Sequence, residues 1–181
     1  MKAQNFEIVS TKSIIDWVGR KVTGAHNGTI DIKQGTLSFS DDTLTGGNFI
    51  IDTTSIKILD VTDLATNEQF AGHLASDDFF NSKQHPKALF VIRSAKPTGG
   101  KGYRIEGELT IKGITHPVGF DAQIEHADGT VTASGKVVVD RTKYEMKFRS
   151  GNFFKDLGDT LIYNDFDLNV KITAKAAEGI I

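Results

Sequence analysis

Apolar and polar positions alternate along most of this chain, most cleanly near its C-terminus. There Ile162, Phe166, Leu168, Val170, Ile172 and Ala174 interleave with Asp165, Asp167, Asn169, Lys171, Thr173 and Lys175. Period two over about a dozen residues predicts a β-strand with one dry and one wet face. The same alternation predicts strands over residues 103–112 and 118–125. Residues 131–139 form a further strand whose apolar face is built from small side chains. Weaker alternation predicts strands over residues 88–95, 14–22, 28–33 and 48–56. Turn chemistry separates these runs at Pro97-Thr98-Gly99-Gly100, Lys112-Gly113, Ala127-Asp128-Gly129-Thr130 and Asp41-Asp42-Thr43. Strands joined by such short turns are antiparallel neighbours. Helix is expected only over residues 62–70, and as a single amphipathic turn over 76–81 with Ser76 as its N-cap.

The chain therefore reads as all-β, one domain over residues 1–181, with eight or more antiparallel strands and one or two short capping helices. Such strands bury their dry faces either as a two-sheet sandwich or as a closed barrel. Side-chain size tilts the reading toward an eight-stranded barrel, which is just wide enough to hold one small ligand. Ala133, Gly135, Gly107 and Ala122 all fall on inward faces and leave space there. Two occupants of that space are consistent with the sequence: a guest molecule, or the rings of some of the chain's 12 Phe residues. The stretch from His73 to Phe80, with Phe79 and Phe80 adjacent in a polar segment ahead of a strand, reads as a lid over an apolar interior.

Composition narrows the chemistry. Lys+Arg 21 against Asp+Glu 23 gives a formal charge of -2 with no long run of one sign, so no nucleic-acid footprint is present. The absence of cysteine excludes disulfides, thiolate metal sites and a cysteine nucleophile. No stretch reaches the ~18 apolar residues of a spanning helix, and the first residues carry no apolar leader. As it stands the sequence reads as cytoplasmic; a chain from which a signal peptide had been removed, destined for the periplasm or secretion, would read the same.

Several stretches, in order and at matching spacing, resemble the YceI-like, polyisoprenoid-binding, lipocalin-like family from about Phe6 to Ala174. They are Gly47 to Ile56, His73-Leu74-x-Ser76-x-Asp78-Phe79-Phe80, Pro86 and Phe90, Gly107 to Val118, and Asp140-Arg141. The resemblance implies an eight-stranded antiparallel barrel extended by a helix, whose lumen holds a long isoprenoid or similar amphipathic chain, and it implies homodimerisation. The chain departs from the family pattern at Lys12-Ser13, at Trp17, at Gly24-Ala25-His26-Asn27-Gly28 and between Asp60 and Gly72. The last of these precedes the lid and predicts a differently shaped mouth.

On this reading Trp17, Phe79, Phe80, Phe90, Leu109, Ile111, Phe120, Ala133, Gly135, Val137, Phe148, Phe166 and Leu168 form the lumen wall. His73, Arg141 and Lys143 stand at the mouth, where Arg141 and Lys143 meet a phosphate or carboxylate head group or, for Arg141, a neighbouring Asp. The 5 histidines lack the spacing that puts two on one strand or helix face, so no metal site is expected. His73 locks the lid or touches a ligand; His85 and His116, each before a proline, read as exposed turn residues. Asp165 and Asp167 read as solvated, and the acidic pairs Asp41/Asp42 and Asp77/Asp78 as turn and cap residues. No nucleophile elbow or phosphate loop is present, and no cofactor is implied. The function expected is a non-catalytic carrier of a polyprenyl, quinone or fatty-acid type lipid. The alternatives are an enzyme acting on a lipid or quinone with His73 as base, and an interaction module with a filled barrel.

Overall fold

The alternation closes into a ring. The computed structural model describes residues 3–127, 129–151, 157 and 161–176. In chain order these form β1 (Ala3–Ile8), β2 (Ile14–Lys21), β3 (Gly24–Ser40), β4 (Thr43–Ile58), α1 (Leu64–Ala75), β5 (Lys87–Gly99), β6 (Gly102–Ile111), β7 (Ile114–Ala127), β8 (Thr130–Asp140) and β9 (Ile162–Ala176). Every pairing is antiparallel, and the order β3-β2-β9-β8-β7-β6-β5-β4 returns to β3, so the sheet is a closed eight-stranded barrel. Closure removes the exposed edges an open sheet would carry.

The strand β1 adds no ninth lane. It pairs with the far ends of β3 and β9 (Phe6↔Leu37, Phe6↔Ala176), whereas β2 pairs with the near ends of the same two strands (Trp17↔Gly28, Trp17↔Leu168). The two are halves of one lane, interrupted by a 3-10 turn at Ser10–Lys12. The buried Ser13 mends the break: its hydroxyl donates to the Val9 carbonyl at 2.9 Å and accepts the Thr173 N–H at 3.0 Å. Sequence periodicity did not reveal β1, because this half-lane is too short to establish an alternation.

Two-residue hairpins set the register at both ends of the barrel. Asp41 and Asp42 both take positive φ (50° and 67°), as do Lys112 and Gly113 (55° and 74°), which is the backbone of the turn that suits the twist of paired strands. Asp128 of the predicted 127–130 turn lies outside the described residues. The β7–β8 ladder runs only from Ala127↔Thr130 to Ala122↔Gly135. Pro117 lies beyond its end, where a missing N–H leaves no ladder partner unsatisfied on β8.

One end of the barrel is plugged and the other is roofed. Phe6, Phe39 and His126 pack edge-on or tilted at 5.0 to 5.5 Å at the end of the 41–42 hairpin, and the Tyr103 hydroxyl accepts the Leu44 N–H there at 3.3 Å. Across the opposite end lies α1. It begins at Asp63, whose carboxylate accepts the Thr66 N–H at 3.0 Å, an N-cap. Its end corrects the sequence reading. The helix continues to Ala75, and Ser76 closes it from the C-terminal side, with its N–H and its hydroxyl both donating to the His73 carbonyl. Residues 76–81 are therefore an irregular turn and not a second helix; Phe80 N–H returns to the Leu74 carbonyl at 3.0 Å and Asn81 takes φ 46°.

Candidate functional site

Two chambers lie end to end inside the barrel. The lower, nearer the plugged end, has a volume of about 90 Å³ and a wholly apolar surface; the upper, under α1, has about 470 Å³. They meet at Ile15, Ile51, Leu109 and Leu168, which belong to both walls.

The lower chamber is small because rings occupy the space that small residues leave. A Cβ at Gly107 would stand 2.5 Å from Phe90 Cζ, and one at Gly135 would stand 3.2 Å from Phe120 Cδ2. Both are diagonal contacts between neighbouring strands, within reach of an aromatic side chain. Phe90 in turn packs on Phe120 at 5.7 Å and on Phe49 at 6.2 Å. Of the two occupants open from sequence, Phe rings are the one found at Gly107 and Gly135. Phe90, Phe120, Ala133, Gly135 and Val137 all line this lower chamber.

The upper chamber owes its volume to its roof. From α1 and the turn after it, Phe70, His73, Leu74, Phe79 and Phe80 face the space above the barrel rim. Trp17, Ile111, Phe148 and Phe166 complete the wall together with the shared Leu109 and Leu168. Three sets of contacts hold the roof down. Phe70 lies against both Trp17 (6.5 Å) and His26 (4.8 Å), and His26 Nδ1 meets Asp60 Oδ2 at 2.8 Å. Burial works against the Asp60 carboxylate, but the Asn27 N–H and His26 outweigh it and hold Asp60 below the usual range. His73 Nε2 meets Asp78 at 2.9 Å, and its ring packs against Phe79 (5.0 Å) and Phe148 (4.6 Å). Lys112, from the β6–β7 hairpin, donates to the Asp77 carbonyl at 2.7 Å and to the Glu145 carbonyl at 3.2 Å, bridging two segments of the rim.

Sequence reasoning missed His26, Phe70 and Lys112 as parts of this site. A Lys-Gly turn signals only an exposed hairpin, yet the Lys112 side chain is buried. Trp17, His26, Gly28, Asp60 and Phe70, all from segments where the chain departs from the family pattern, come together here; the Trp17 ring lies directly over Gly28, where a Cβ would collide with it.

The expected mouth residues fall in different places. Arg141 is on the upper wall but is only 3% exposed, and among the described residues it pairs with no Asp. Its Nε and Nη2 donate to the carbonyls of Tyr163 and Ile162 at 3.0 Å, and its Nη1 donates to Met146 at 2.6 Å. The guanidinium carbon sits 5.9 Å from the Phe79 ring centre. Burial pulls this group down to about 10 while Asp140 acts in the opposite direction. Lys143 is exposed and lies outside both walls. His116 is not in a turn; it is half-buried in β7, with its ring 5.3 Å from that of Tyr144. Asp167 is not solvated either: buried on the outer face, it meets Arg20 at 2.8 Å and Lys136 at 3.5 Å. Asp165 contributes to the upper wall.

A closed antiparallel barrel with an interior apolar cavity under a helical roof is a lipocalin-like architecture. A model of the YceI-like domain matches residues 6–174, and the chain belongs to that family. The protein YceI of Escherichia coli O157:H7 is 31% identical over 133 residues, 72% of this chain and 65% of its own length. Across the curated relatives the aligned stretch spans between 26% and 65% of their length. Among solved structures, Burkholderia cenocepacia BcnA superposes with a TM-score of 0.74 at 22% identity, covering 93% of this chain and 99% of that one. A polyisoprenoid binding domain from Saccharophagus degradans, implicated in plant cell wall breakdown, superposes with a TM-score of 0.67 at 11% identity, covering 97% and 100%. These likenesses establish the barrel.

Proposed function

We propose that this protein is a non-catalytic carrier that holds one long-chain lipid, of polyprenyl, quinone or fatty-acid type, with its tail in the lower chamber and its head under α1. The observation that carries this reading is the upper chamber of about 470 Å³, which shares Ile15, Ile51, Leu109 and Leu168 with an entirely apolar pocket at its base. That volume is within the ordinary range of small-molecule sites. Each methylene of a chain buried there contributes ~0.8 kcal/mol. The name of the Saccharophagus neighbour supports the lipid class.

The chemistry of the upper wall fits holding better than turnover. His73 has its Nε2 engaged by Asp78 and its ring faced by Phe79 and Phe148. The wall hydroxyls of Thr53 and Thr66 are bound to the His85 carbonyl and to Asp63. A general base with no activated nucleophile beside it lacks half of what acyl or glycosyl transfer requires.

The test is native mass spectrometry of the purified protein followed by solvent extraction, then titration of the delipidated protein with prenyl alcohols of 10, 15 and 20 carbons. Trp17, the chain's 1 tryptophan, stands on the chamber wall and reports occupancy through its emission. The expected result is one bound lipid and an affinity that rises with chain length across the series, by ~0.8 kcal/mol for each further methylene buried. A bare mass together with no uptake of any chain would overturn the carrier reading.

A further inference from the structure

The guanidinium of Arg141 is a buried charge with no ion-pair partner among the described residues. Three of its five N–H groups go to backbone carbonyls, which tie the turn at 141–146 to the start of β9. That explains why an arginine is present, but carbonyl dipoles do not neutralise it. Among the described residues no carboxylate lies within ion-pair distance. Asp140, the acid that acts on it electrostatically, accepts from the N–H and hydroxyl of Thr142 instead. A cation held in an apolar enclosure is costly unless an anion or strong acceptor meets it. One N–H remains on each of Nη1 and Nη2, and a guanidinium with open donors suits an oxyanion.

Cations predominate among the other charged residues described on the wall. Arg20, Lys21 and Arg149 also line the upper chamber, and Asp165 is the carboxylate among its described lining residues. The acid that pairs with Arg20, Asp167, belongs to the outer face.

We propose that Arg141 anchors an anionic head group, a phosphate or carboxylate oxyanion, at the top of the lipid chamber. This rests on the carrier reading and selects acidic lipids over neutral alcohols and quinones. A ligand oxygen placed between Nη1 and Nη2 completes the fork while its tail runs down past Leu109 and Leu168 into the lower chamber. The three carbonyl bonds hold the guanidinium in place before the ligand arrives, so little side-chain freedom is lost on binding.

The experiment compares three 20-carbon probes on the delipidated wild-type protein: geranylgeranyl monophosphate, a C20 fatty acid and geranylgeraniol. Trp17 emission reads each affinity, and a crystal structure is determined with the tightest binder. Both acids are expected to bind about 10- to 100-fold more tightly than the alcohol, the range of a charge-assisted hydrogen bond, with an oxyanion within hydrogen-bond distance of Arg141. An advantage for the phosphate alone, or for the fatty acid alone, identifies the source of the oxyanion. Equal affinity for all three, or an acid group bound at Lys21 or Arg149 and away from Arg141, overturns the assignment. Failure of every probe to bind overturns the carrier reading instead.

Discussion

The two chambers reverse what their linings suggest. The lower is walled in part by Ala122, Ala133 and Gly135, yet it is nearly full; the upper is crowded with Trp17, Phe70, Phe79, Phe80, Phe148 and Phe166, yet it is the open one. In the lower half, Gly107 and Gly135 each accept a ring from the neighbouring strand, so small and large residues interlock. In the upper half the β7–β8 ladder has ended, and Phe70, Phe79, Phe80 and Phe148 stand on a helix and on turns that arch over the rim. Cavity volume here follows from how far the roof stands off the barrel, and much less from the size of any one side chain.

Four substitutions test that contrast. The largest effect is expected at Gly107→Ala, whose Cβ would collide with the Phe90 ring and the Val91 carbonyl. A backbone collision cannot be relieved by a rotamer change, so thermal unfolding should show a loss of ~3 kcal/mol or more. A loss below ~1 kcal/mol would mean that the lower half has slack after all. Next is Trp17→Ala, which removes the ring between Gly28 and Phe70 and should cost ~2 to 3 kcal/mol. It should also raise hydrogen exchange in α1, and unchanged protection of α1 would show that Phe70 is not its anchor.

Phe80→Ala sharpens the comparison from the other side. The ring is half-buried, facing the chamber near Phe166 at 6.4 Å, so its loss should cost only ~1 kcal/mol of stability while lipid dissociation accelerates several-fold. A stability loss as large as that at Gly107, with unchanged dissociation, would erase the distinction between a packed half and a binding half. The smallest effect is expected at Tyr144→Phe. The Tyr144 hydroxyl is buried without a hydrogen-bond partner among the described residues, and burial together with Asp140 pushes it up to about 12. Removing an unsatisfied hydroxyl should stabilise the fold by ~1 kcal/mol at neutral pH. Because the folded group holds its proton more tightly than the unfolded one, its contribution is intact below pH ~10 and declines between pH ~10 and ~12. Melting curves at pH 9 and 11 should therefore converge in the variant relative to the wild type.

Much of the barrel was legible because strand alternation is local. The strands over 103–112, 118–125, 131–139 and the C-terminal run reappear within a few residues as β6, β7, β8 and β9. The thirteen residues expected on the lumen wall do line one chamber or the other, whereas Lys143 does not. What failed were readings that depended on partners distant in sequence. Ser76 has the right side chain to begin a helix, but the helix before it had not ended, so the same hydroxyl caps a C-terminus. Arg141 and Lys143, two residues apart in a 3-10 turn, read as equivalent cations; one is drawn inward by the carbonyls of Met146, Ile162 and Tyr163, and the other stays in water.

Sequence alone determined that this chain forms antiparallel strands and which face of each is dry, because side-chain direction along a strand depends only on residue parity. Tertiary structure decided which inward positions are filled and which remain open. A glycine on one strand is space or contact depending on whether the neighbouring strand lays a ring across it, as Phe90 does at Gly107 and Phe120 at Gly135. Likewise the charge of Arg141 became a feature of the interior only when β9 brought its carbonyls to the turn after β8. Parity is a property of each strand by itself, whereas volume and electrostatic balance belong to the closed barrel.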